Sequence, residues 1–114
     1  MSTHERIQAR YLKETVRLTG LAATLGRVAS SARRATGAAA VAAMLEESQH
    51  FIEWTAAEAP IDIAGELVNL QVLLALWRRA YPEAQHSPLQ RSLLAVQARQ
   101  WSDLTLRYAE QVGR

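Results

Sequence analysis

The sequence predicts an all-α fold: an antiparallel four-helix bundle with a long first helix. Three observations carry that prediction. No segment has the alternating, β-branched pattern of a strand. Apolar residues instead recur at intervals of three and four along most of the chain. Gly37 and the prolines at 60, 82 and 88 divide that pattern into stretches of helical length. The 114 residues, 49% of them hydrophobic, suit one domain over 1–114 with a core of its own.

The first helix opens on the capping-box spacing Ser2-x-x-Glu5. Its apolar line runs Leu18, Leu21, Leu25, Val28, Ala32, Ala35, Ala39 and Ala42, the seam of a helix that packs along its length. Ile7 and Tyr11 continue the line backwards, and Glu14 interrupts it. An unbroken helix over 3–36 would be about 50 Å long, so a kink or a protruding end is expected. Gly37 is the favoured break, with Gly20 and Gly26 as the other weak points.

The second helix is expected over about 38–57. Met44, Leu45, Ser48, Phe51, Ile52 and Thr55 form its inner face, and Pro60 ends it. The third should start after Asp62 as N-cap and stop at Pro82. Ile63, Leu67, Leu70, Leu74, Trp77 and Tyr81 make one face, while Val68, Val72 and Leu76 make a second. Only Asn69 and Gln71 interrupt the apolar middle of this helix. The fourth has the strongest start signal in the chain, Ser87-Pro88-Leu89-Gln90: a serine cap, a first-turn proline and a box-closing glutamine. Leu93, Leu94, Val96, Trp101, Leu104, Tyr108 and Val112 carry its apolar surface. The short connection over 82–87 makes helices three and four antiparallel neighbours.

Composition removes several functional classes. There is no cysteine, hence no disulfide framework, thiolate metal site or cysteine nucleophile. No apolar run approaches the ~20 residues of a membrane span, and no secretory segment is visible at the start, so the cytoplasm is the expected compartment. Twelve arginines stand against one lysine, which reads as the coding bias of a GC-rich bacterial genome. The net charge of +2 hides an uneven distribution: +5 over 1–37, −6 over 38–66 and +3 over 67–114. The first two helices should therefore pair basic against acidic.

The chemical motifs are sparse. Glu47-Ser-Gln-His50 has the spacing of a carboxylate-bridged metal site, but its equivalent Glu83-Ala-Gln-His86 falls between two prolines. No serine stands in a nucleophile elbow, and the glycines at 20, 26, 37, 65 and 113 are too scattered for a phosphate loop. The expectation is no enzyme, no cofactor and no metal. Ala22-x-x-x-Gly26 followed by 28–36 loosely imitates a helix-turn-helix with Arg33 and Arg34 on its second helix, but Arg27 occupies an ordinarily apolar place.

What remains is a surface for partners. Arg6, Arg10, Lys13, Arg17, Arg27 and Arg34 fall on one helical line beside the first seam. Leu12 and Val16 lie off that seam and want a contact. Helix three is too apolar to be covered by three other helices that must also bury their own faces. The sequence thus favours a non-catalytic interaction or oligomerisation module, pairing with itself as a homodimer or with another helical protein. Nucleic-acid binding through the basic stripe is the alternative, and a metal-dependent bundle enzyme the third. Membrane binding is not expected, because the apolar line fades into alanines.

Overall fold

The computed structural model describes residues 3–113, and for 4 and 7–12 the backbone alone. Four α-helices follow one another: α1 (Thr3–Ser31), α2 (Ala38–Ala56), α3 (Ile61–Ala84) and α4 (Pro88–Val112), with a 3-10 turn at Ala35–Gly37. No strand occurs among the described residues. The helices form an elongated bundle of 53 × 20 × 19 Å. Leu18, Leu21, Leu25 and Val28 of α1 meet Val41, Leu45 and Ile52 of α2, Leu67, Leu70 and Leu74 of α3, and Leu94 and Trp101 of α4 in one core.

The most extensive contact is between α1 and α4, and small residues line it. Ala22 and Ala29 of α1 are buried, as are Ala95, Ala98, Ser102, Thr105 and Ala109 of α4. The Ser102 hydroxyl donates to the Ala22 carbonyl at 2.7 Å, which sets the approach of the two backbones. A Cβ on Gly26 would lie 3.4 Å from that hydroxyl oxygen. By contrast, α3 leans on α2 and meets α4 only over a short stretch. There Trp77 Nε1 donates to Gln97 Oε1 at 2.7 Å.

Several boundaries differ from expectation. The first helix ends at Ser31, before Gly37, and continues through Gly20 and Gly26. A contact from far away in sequence accompanies this end. Arg91 Nε donates to the Arg33 carbonyl at 3.3 Å, and its Nη1 to the Gln85 carbonyl at 2.7 Å. The Arg33 carbonyl is thus held out of a helical ladder, and Arg34 adopts an extended conformation. Ala35, Ala39 and Ala42 consequently leave the seam and are exposed. Gly20 is not a weak point but a notch: a Cβ there would meet Phe51 Cε1 at 2.9 Å.

Helix α3 starts two residues earlier than predicted, with Pro60 as N-cap and Asp62 inside the first turn, where a carboxylate still favours the helix dipole. Pro82 does not stop it, because a proline in the last turn deprives the ladder of a single donor. Gln85 N–H closes on the Tyr81 carbonyl at 2.9 Å, and the Gln85 side chain donates to Pro82 O at 3.1 Å. The cap of α4 is as expected: Ser87 Oγ accepts from Gln90 N–H at 3.2 Å. Ser2, the expected cap of α1, lies outside the described residues.

Candidate interaction surface

Two residues of the basic line of α1, Arg17 and Arg27, are engaged by α2 or its C-terminal turn. Arg17 Nη1 donates to the Trp54 carbonyl at 2.8 Å and stands 3.5 Å from Glu58 and 3.6 Å from the fully buried Glu14. Arg27 donates to Thr24 Oγ1 at 2.9 Å and lies 3.8 Å from Glu47. The acidic second segment therefore answers the basic first one through Arg17–Glu58 and Arg27–Glu47. Arg6 and Lys13 are exposed near the start of α1. Arg34 is not on this line at all, since α1 has ended before it. The side chains of Arg10 and Leu12 lie outside those described, and Val16 is 63% exposed.

On α2, Glu47 is engaged by Arg27, while His50 stands 3.9 Å from Glu46 and 3.6 Å from Glu53 on an exposed face. Glu46 also reaches Arg78 of α3 at 3.9 Å, and Arg78 donates to Gln49 Oε1 at 2.6 Å. Among the described residues no three histidine, aspartate or glutamate side chains converge as metal ligands would. An open cleft of ≈ 670 Å³ separates α2 from α3, floored by Ala39, Ala42, Ala43 and Pro82. Tyr81 borders it but is buried, with a hydroxyl that makes no hydrogen bond among the described residues. Burial pushes this phenol above its ordinary range, and the charge of Arg91 opposes the shift.

Exposed large apolar residues are most numerous on α3. Its buried residues, Ile63, Leu67, Leu70, Leu74 and Tyr81, share one side of the helix. On the opposite side Ile61 is 92% exposed, Val68 and Val72 55% each, and Leu76 59%. Helical geometry places Gly65 and Ala75 on the same stripe, and a Cβ on Gly65 would meet nothing within 4 Å. Leu73, Leu89, Leu93 and Val96 extend exposed apolar surface towards α4. Leu93 and Val96 thus lie outside the core. The second apolar face that the sequence gives helix three is present, and nothing within the described chain covers it. Trp54 of α2 is also exposed, against Phe51 with ring centroids 5.8 Å apart.

Sequence reasoning placed its partner residues on helix one and treated the valines of helix three as surface to be covered. The signal for the latter was the length of the apolar run from Leu67 to Trp77, broken only at Asn69 and Gln71. Among the described residues no helix is long and apolar enough to cross a membrane. Comparison with protein families, with curated proteins and with solved structures finds no match to this chain.

Proposed function

We propose that this chain is a non-catalytic interaction or oligomerisation module of the cytoplasm, and that the outer side of α3 is its docking face. The observation that carries the reading is the stripe of Ile61, Val68, Val72 and Leu76, all more than half exposed on the side of α3 facing away from the core. Leaving such surface in water costs about 25 cal/mol per Å², and covering it recovers that free energy. Contiguous apolar surface of this kind marks contact sites in folded proteins. The partner is a second copy or another helical protein, because a straight helical stripe is matched by another helix. The engagement of Arg17 and Arg27 with α2 disfavours an electropositive groove on α1 as the working surface.

The test is Val68→Glu/Val72→Glu. Both residues are exposed in the protomer, so the variant should keep its helical content. Self-association in light scattering, and partners recovered by affinity purification from the native host, should both be lost. Association that persists with both glutamates in place would refute the assignment of the face.

A further inference from the structure

We infer that the partner of α3 is the α3 of a second copy, laid antiparallel about a two-fold axis near Asn69. The inference rests on the reading of this face as the docking surface and names its occupant. Along the stripe, Ile61, Gly65, Val68, Val72, Ala75 and Arg79 recur at alternating steps of four and three, the seam spacing of paired helices. This series is symmetric about its own midpoint. An antiparallel copy sets Val68 against Val72, Gly65 against Ala75, and Ile61 against Arg79. A two-fold contact must be self-complementary in this way, residue i on j and j on i.

Charge agrees with this orientation. Arg78 is already engaged by Glu46 and Gln49, but Arg79 and Asp62 make no ion pair or hydrogen bond among the described residues. Asp62 adjoins Ile61, so the antiparallel register carries Arg79 of each copy to Asp62 of the other. Parallel pairing would set Arg79 against Arg79 and Asp62 against Asp62. Asn69, exposed and likewise without a partner among the described residues, falls beside the axis. There its amide can bond the amide of its symmetry mate.

Single cysteines test this directly, because the chain has none. Gly65→Cys points into open space, and Ala75 is exposed, so neither substitution disturbs the fold. Under oxidation an equimolar mixture of Gly65→Cys and Ala75→Cys should give a disulfide-linked dimer, while each variant alone gives none. Disulfide formation needs Cα atoms within about 7 Å. Positions 65 and 65 of antiparallel partners are about 15 Å apart along the axis. Cross-linking of each variant with itself would mean a parallel pair and overturn the inference. A particle of 12.7 kDa for the wild type in light scattering, with no cross-link in the mixture, would overturn it too. As a second arm, Asp62→Arg and Arg79→Asp should each weaken self-association several-fold, and their mixture should form a heterodimer. Failure of these tests removes the second copy alone; the docking face itself fails only if Val68→Glu/Val72→Glu leaves every partner bound.

Discussion

Two glycines inside helices should respond in opposite ways to alanine. Glycine costs about 1 kcal/mol against alanine in a helix interior, so each substitution starts with that gain. At Gly65 nothing of its own chain stands within 4 Å of the added carbon, and in the dissociated protomer Gly65→Ala should keep the whole of it. For a chain of this length that is a rise of about 4 °C in melting temperature. At Gly20 the same carbon would sit 2.9 Å from Phe51 Cε1 and 3.0 Å from Cζ, inside van der Waals contact. The ring is half-buried and can swing out, but only by giving up its seat on α1. Loss of a fully buried phenylalanine costs about 3–5 kcal/mol, so half of that contact is on the order of 2 kcal/mol. Gly20→Ala should then end neutral or destabilised by about 1 kcal/mol. The assay is thermal and urea unfolding followed by circular dichroism, with the cycle completed by Phe51→Ala. In the Phe51→Ala background, Gly20→Ala should recover the full gain. A Gly20→Ala variant as stabilised as Gly65→Ala would show that Phe51 does not occupy the notch.

Further tests address the cap, the buried phenol and the basic stripe. Ser87→Ala should lower stability by about 1 kcal/mol with no loss of helical content, read in the same melts; an unchanged melting curve would mean that the helix starts elsewhere. Tyr81→Phe removes a buried hydroxyl with no hydrogen bond among the described residues, so its melting temperature at neutral pH should equal or exceed the wild type's. Because burial raises the Tyr81 ionisation above 10.0, the folded chain holds that proton more tightly than the unfolded one. That contribution is complete below pH 10.0 and is lost as the pH rises above it, a loss that Tyr81→Phe should lessen. Retention on heparin at low salt should be weak and the same in wild type and in Arg17→Gln/Arg27→Gln; strong retention lost in the double variant would restore the nucleic-acid alternative.

What was legible in the sequence was what local chemistry decides. The start of α4 follows from Ser87, Pro88 and Gln90, all within one turn, and the structure keeps it. The inner face of α3 follows from large residues at three–four spacing, which only a helix brings together. The opposed charges of the first two segments foretold pairing, and Arg17–Glu58 and Arg27–Glu47 realise it. The end of α1 was not legible: no glycine or proline marks Ser31, and the contact made just beyond it, Arg91 to the Arg33 carbonyl, comes from 58 positions away. Ala35, Ala39 and Ala42 extended the seam on paper, yet a methyl group fits an exposed face as readily as a buried one, so spacing alone could not place them. The tight α1–α4 contact also escaped. A search for seams weighs leucines and valines, whereas this contact depends on Ala22, Ala98 and Ser102. On the candidate surface, the excess of apolar residues in helix three was readable, but Arg34 was assigned to a helix that had already ended.

The position of Arg91 couples two parts of the chain that look independent. One guanidinium group holds the carbonyls of Arg33 and Gln85, so the turn leaving α1 and the turn leaving α3 share a single fastening. Each turn also keeps backbone bonds of its own, Arg34 N–H to the Ser31 carbonyl in one and Ser87 N–H to the Ala84 carbonyl in the other. In hydrogen exchange, loss of the Arg91 side chain should therefore raise the exchange of both segments together. The link is confined to that end of the bundle; the opposite end, where α2 turns into α3 through residues 57–60, has no share in it.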